Sequence, residues 1–196
     1  MNSYKILPEG YEAVREIDAV GNKHFAVGMN VAALLISALS GAVLYFLRFR
    51  SFTFTVDEDN FAGYLLFMLG LLLSVFAYLA AHELVHGFVY KLMTREKLTF
   101  GISFSCAYCG VPDVFVTRKT ALSALVAPFA VFTVAFALPI AFVGDCAALF
   151  FSFLLVLHLG GCAGDLYDLL LLLFVLKGDV LMRDTGPKQT FYIRRG

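Results

Sequence analysis

Charge is scarce in this sequence. Only 15% of its 196 residues are Asp, Glu, Lys or Arg, and 60% are hydrophobic. A soluble domain carries about 25% charged and about 45–50% apolar residues. An ordinary cytosolic enzyme and a disordered chain are therefore excluded. Net charge is lacking too: 15 basic residues balance 15 acidic ones. No global field draws the chain toward polyanions, so nucleic acid is not an expected partner. Cysteine is sparse, with Cys106, Cys109, Cys146 and Cys162 scattered along the chain. Cys106 and Cys109 form a CxxC, but no further ligands follow at the spacing a zinc knuckle needs. Internal repeats are absent. The segment before Phe25 holds seven charges of mixed sign, which does not fit a signal peptide. What remains is an integral membrane protein, read as one domain over 1–196.

Four stretches have the length and apolarity to cross a bilayer, which takes about 20 residues. They are about 25–47, 61–92, 120–143 and 147–176, the third holding Pro128 and Pro139. Lys5, Arg15 and Lys23 precede the first span. Arg95, Lys97, Arg118 and Lys119 lie between the second and third. Lys177, Arg183, Lys188, Arg194 and Arg195 follow the fourth, and only Arg48 and Arg50 lie on the other side. By the positive-inside rule, both termini and the middle loop are expected in the cytoplasm. Nothing in the sequence sets the oligomeric state.

The expected fold is all-α: a bundle of four transmembrane helices, with a small cytoplasmic-side β-hairpin and an extended C-terminal tail. Leu98, Phe100, Ile102, Phe104 and Cys106 alternate with Thr99, Gly101, Ser103 and Ser105. Period two marks a strand with one apolar face. Val114, Phe115, Val116 and Thr117 form a second β-prone run after a Gly110-Val111-Pro112-Asp113 breaker, so the two runs are expected to pair as a hairpin. This segment is either an amphipathic connector or an edge strand that pairs with an extended peptide through Phe100, Ile102 and Phe104. Thr185-Gly186-Pro187-Lys188 is a turn between short β-prone runs of the tail. The N-terminal segment 4–20 shows no clear pattern.

His82-Glu83-Leu84-Val85-His86 is an HExxH motif late in the second span. Residues four apart on a helix share a face, about 6 Å apart along the axis, and two imidazoles there can hold one metal ion. The Glu between them can serve as general base toward a water that the metal activates. At this chain's His and Glu frequencies, a chance match arises about once in four hundred such sequences. Ionisable groups within a span are costly and mostly functional. Gly87 follows at once and would let another backbone approach closely.

Catalytic zinc takes three protein ligands and keeps a position open, so a third must come from elsewhere. The fourth span offers Asp165 and Asp168 within 160–168, a stretch containing Gly160, Gly161 and Gly164. His82 lies nine residues before Lys91, about 13 Å of helix. Asp168 lies nine before Lys177 and Asp165 twelve, about 13 and 18 Å. Rise alone favours Asp168; the glycines, read as a locally opened helix, favour Asp165. His158 lies one or two turns away and is either a buried histidine bonded to a carbonyl or a contact to the substrate carbonyl or oxyanion. Cys162 behaves as a small hydrophobe.

These motifs resemble those of the putative zincin peptidases, small four-span membrane proteins of bacteria and archaea, distantly related to the site-2 intramembrane metalloproteases. The resemblance rests on Leu7-Pro8-Glu9-Gly10-Tyr11, His82-Glu83-Leu84-Val85-His86-Gly87, Phe100-Gly101, Ala107-Tyr108, Ala127-Pro128-Phe129, Gly164-Asp165 and Asp184-Thr185-Gly186. It implies one zinc ion per chain held by His82, His86 and Asp165, with Glu83 as catalytic base. It leaves Asp168 as the alternative ligand. Site-2 proteases carry an Asn-containing motif upstream of their ligand Asp, and here His158 stands about where that Asn is expected. The implied location is a prokaryotic plasma membrane, with a peptide or transmembrane protein as substrate and the lipid bilayer as surroundings. The rival functions are a non-catalytic membrane zinc-binding protein and a metal transporter built on the same ligands.

Overall fold

The computed structural model describes residues 2–51, 60–103 and 107–195. Helix α1 spans Lys23–Leu44, where Asn22 caps the start by accepting from the Phe25 N–H. It continues through a π-helical turn, Tyr45–Phe49. Helix α2 covers Phe61–Thr94 and stops at Arg95, whose left-handed φ of 63° turns the chain. Helix α3 covers Arg118–Ile140, capped by the Thr117 side chain. Helix α4, Asp145–Gly161, breaks at Cys162 into α5, Ala163–Leu170, which ends in a π-helical turn at Leu171–Val175. Arg48 and Asp145 pair at 2.6 Å and tie the far end of the first helix to the start of α4.

Among the described residues, three helices are long and apolar enough to cross a bilayer: Lys23–Phe49, Phe61–Thr94 and Arg118–Ile140. The pair Asp145–Gly161 and Ala163–Val175, bent by 43°, makes a fourth if it counts as one span. Their surfaces are the reverse of a soluble bundle's: α1 buries no residue, and Leu34, Leu39, Phe76 and Val134 face outward.

The all-α expectation needs correction, because a five-stranded antiparallel sheet caps one end of the helices. Its strands are β1 (Ser3–Tyr4), β2 (Tyr11–Asp18), β5 (Phe115–Thr117), β6 (Val180–Asp184) and β7 (Lys188–Arg194), in the order β1-β5-β6-β7-β2. The patternless N-terminal segment thus supplies both edges, and the tail is a paired hairpin within the sheet. The main core lies between sheet and helix ends, where Val111, Val116, Leu172, Val180, Met182 and Phe191 are almost wholly enclosed.

The hairpin in the middle loop exists, but with another partner. Strand β3 (Thr99–Ile102) pairs with β4 (Ala107–Gly110), Thr99 opposite Gly110 and Ile102 opposite Ala107. The run 115–117 pairs with β6 and β1 instead. Pairing the adjacent segment closes the shorter loop, and Val116 is left to fill the core of the larger sheet. Gly87 receives side chains rather than backbone: a Cβ there would lie 2.7 Å from the Phe100 ring and 3.2 Å from both Cys109 Sγ and Leu98.

Candidate metal centre

Helix α2 buries a stripe of Tyr78, His82, His86 and Tyr90, one residue every turn. Spacing of four keeps all four on one side of the helix, and each has a polar partner from another element. His86 Nδ1 lies 3.0 Å from the Ala124 carbonyl oxygen of α3. That carbonyl is free because its helical partner would be the N–H of residue 128, and Pro128 has none. A carbonyl only accepts, so His86 Nδ1 carries a proton and donates to it, which leaves Nε2 to face the other side chains of the stripe.

The break at Cys162 swings α5 so that Asp165 enters from its first turn. Its Oδ2 lies 3.1 Å from His82 Nε2 and its Oδ1 3.5 Å from His86 Nε2. The two Nε2 atoms are 3.2 Å apart. Among the described residues, His82, His86 and Asp165 can each offer a ligand atom within 4.8 Å of the others. Two imidazoles and a carboxylate, with both Nε2 atoms turned inward, suit zinc and leave a position for a small ligand. Asp168 is not brought to this cluster. It is buried one turn further along, and its Oδ1 has no hydrogen-bond partner among the described residues.

The imidazoles sit on the wall of a cavity of about 340 Å³, which reaches from Met29 and Asn30 of α1 to Glu83 and Asp184. Glu83 lines it with its carboxylate against the Cys109 backbone N–H. The expected contact from His158 to substrate is not supported by its position. His158 is fully enclosed, and its nitrogens face Tyr78 Oη and the Phe129 carbonyl oxygen. His82, His158 and Cys162 form a second close cluster, but the Tyr78 hydroxyl lies between its two imidazoles, 3.3 Å from one and 2.9 Å from the other. Phe100 and Ile102 are exposed on β3, whereas Phe104 and Cys106 lie outside the described residues. Cys109 is buried, and burial pushes its thiol up to about 12, so it stays neutral.

Sequence reasoning missed Tyr78, Tyr90 and Asp184. The first two were visible as the four-residue continuation of the HExxH stripe in both directions. Asp184 comes from the far end of the chain: it accepts from Tyr90 Oη at 2.7 Å and from the Gly186 N–H at 2.8 Å. Burial raises its pKa from the ordinary 3.8 to about 6, more than those two bonds lower it. The folded state then takes up this proton first as pH falls. The resulting stabilisation is full below 3.8 and lost as pH rises through about 6. Metal-free protein is therefore expected to gain stability relative to Asp184→Asn between about pH 7 and about pH 4. Thermal unfolding across that range checks it, and parallel profiles would contradict the buried-acid account.

Paired helical histidines with an intervening glutamate, met by a carboxylate from a second helix, have the donor types and spacing of an HExxH zinc site. The comparison with protein families agrees. A family model, the putative zincin peptidases, matches residues 75–180, from the HExxH helix to the start of β6. The chain belongs to that family, which implies a metallopeptidase with zinc as its metal. No curated protein and no solved structure matches the chain.

Proposed function

We propose that the protein is a membrane-embedded zinc peptidase of the site-2 protease type. His82, His86 and Asp165 hold one ion, and Glu83 is the general base. The observation that carries this is the convergence of His82 Nε2, His86 Nε2 and both Asp165 oxygens, at 3.1–3.5 Å, on the wall of a cavity lined by Glu83. Zinc, when bound, supplies Lewis-acid polarisation and lowers the pKa of water toward about 7.

The chain's own groups do the rest. Glu83 takes a proton on its carboxylate and returns it to the leaving amine. The Cys109 N–H orients that carboxylate, and the Ala124 carbonyl holds the His86 ring. Four spans with both termini in the cytoplasm put the sheet, the cavity mouth and most Lys and Arg on one side. A transmembrane substrate must unwind to expose a carbonyl. The exposed Phe100 and Ile102 on β3 offer it a strand to pair with. A transporter would need ligands spread along a path. The enclosed His158 and the clustering of the other three at one point favour the enzyme.

Metal content of protein purified in detergent without chelators tests the site. Wild type and Asp168→Ala are expected to hold about one zinc per chain, since three ligands and an open position bind one ion. His86→Ala and Asp165→Ala are expected to hold none. Absence of stoichiometric metal from wild type would overturn the peptidase reading.

A further inference from the structure

We propose that Asn30 of α1 binds the backbone of an unwound substrate segment, across the cavity from the HExxH histidines. The inference rests on the peptidase reading above and deepens it, by naming a substrate-binding residue. It begins from a polar side chain in an apolar helix. Past its first turn, α1 carries three polar side chains: Asn30, Ser37 and Ser40. Both serines bond carbonyl oxygens, Ser37 Oγ that of Val156 on α4 at 3.4 Å and Ser40 Oγ that of Ser37 at 3.1 Å. Asn30 is exposed, and its carboxamide makes no hydrogen bond among the described residues. A polar group without a partner in hydrocarbon is costly. Polar residues kept within spans face cavities and mark substrate paths.

Asn30 lines the same cavity as His82, Glu83 and His86. Its depth matches theirs. It lies seven residues after Lys23, at the sheet end of α1, or about 10 Å of helix. His86 and His82 lie five and nine residues before Lys91, at the sheet end of α2, or about 8 and 13 Å. The two helices form opposite walls of the cavity. Helix α1 packs on α4 and α5, where a Cβ on Gly160 would press on Ser37 and the Ala33 carbonyl oxygen. Helix α2 packs on α3. Ala26, Met29 and Ala33 line the cavity beside Asn30, on one face of α1. A segment lying between the two walls has the histidines on one side and Asn30 on the other.

The chemistry of the side chain says what it holds. A carboxamide offers a C=O acceptor and two N–H donors. That set matches the backbone N–H and C=O of an extended residue, whatever its side chain. A transmembrane segment that unwinds to expose its scissile carbonyl loses the helical partners of the neighbouring groups. Asn30 replaces those partners for one residue. It positions the strand without selecting a sequence.

Binding to full-length Glu83→Gln protein in nanodiscs tests this without cleavage. The probes are synthetic transmembrane peptides with a central Gly-Pro break. Each carries one amide-to-ester replacement along the broken segment, and an ester lacks the N–H donor. With Asn30 in place, one ester position should weaken binding by about 2–10-fold, the worth of one hydrogen bond. Asn30→Leu should weaken binding of the all-amide peptide by about 5–100-fold, the worth of two. The ester at that position should then cost nothing further. Asn30→Gln keeps the carboxamide and should bind better than Asn30→Leu.

A merely structural asparagine would not couple to the ester. Asn30→Leu should also keep its zinc and its melting temperature, since the side chain it removes has no partner to lose. Asn30→Ala serves in the same comparison if Asn30→Leu does not fold. Equal peptide binding with and without Asn30, or the same ester cost in both proteins, would overturn the inference. So would zinc-loaded protein that binds none of the peptides. Protein that holds no zinc yet shows the coupling would sink the metal-site reading and support the role of Asn30.

Discussion

Glu83→Gln is expected to keep about one zinc per chain and to lower peptide hydrolysis by about 10²–10⁴-fold, the range for loss of a positioned general base. The substitution changes almost nothing in shape. The carboxamide oxygen can still accept from the Cys109 N–H that lies against the Glu83 carboxylate, so the side chain stays in place. What it loses is the ability to take a proton. The ligand set is untouched, because the close cluster consists of His82, His86 and Asp165 without Glu83. Metal analysis paired with single-turnover cleavage of transmembrane peptides in proteoliposomes separates the two effects. Loss of zinc in the variant would make Glu83 a ligand, and full activity would remove it from the chemistry. A variant that binds but does not cleave is also a means of capturing the substrate.

The helices and the close histidine pair were legible because each depends on a local pattern. Apolar length sets the spans, and a spacing of four sets the shared face. The carboxylate that meets the two histidines was less legible for a physical reason. Counting rise along a straight span favoured Asp168, but Asp165 and Asp168 both lie beyond the break at Cys162, on a segment bent by 43° from α4, where rise along the chain is no longer depth. The sheet was hidden for a different reason. Along β2 only Ile17 is buried and most of its neighbours are exposed, so the strand has no apolar period to read. It is held by its pairing with β7 and by surface ion pairs such as Lys188–Glu16, which sequence order does not reveal. The alternation over 98–106 marked a strand that the described residues show at Thr99–Ile102. It could not name the partner, because period two specifies a face and not a neighbour.

Gly110 offers the largest expected stability effect outside the metal site. It ends β4 where that hairpin meets the turn between β6 and β7. A Cβ at this position would press on the Gly186 backbone nitrogen and lie 2.7 Å from the Thr185 carbonyl carbon. Backbone atoms cannot rotate out of the way as a side-chain tip can, so the turn itself must move. Tyr108 holds the same junction from the other side, its ring against Gly186 and its hydroxyl against Gly101. Gly110→Ala is expected to destabilise the protein by about 1–3 kcal/mol, the usual cost of overpacking. The damage should also reach the cavity. The Gly186 N–H bonds Asp184, which in turn accepts from Tyr90, and the neighbouring Cys109 N–H orients Glu83. Peptide hydrolysis should therefore fall together with stability. Gly70→Ala is the control: it lies in α2 with nothing among the described residues within 4 Å of an added Cβ. A helical glycine replaced by alanine gains up to about 1 kcal/mol. Thermal unfolding in detergent should move the two variants in opposite directions. Equal melting temperatures would mean that the two hairpins do not form a rigid wall over the site.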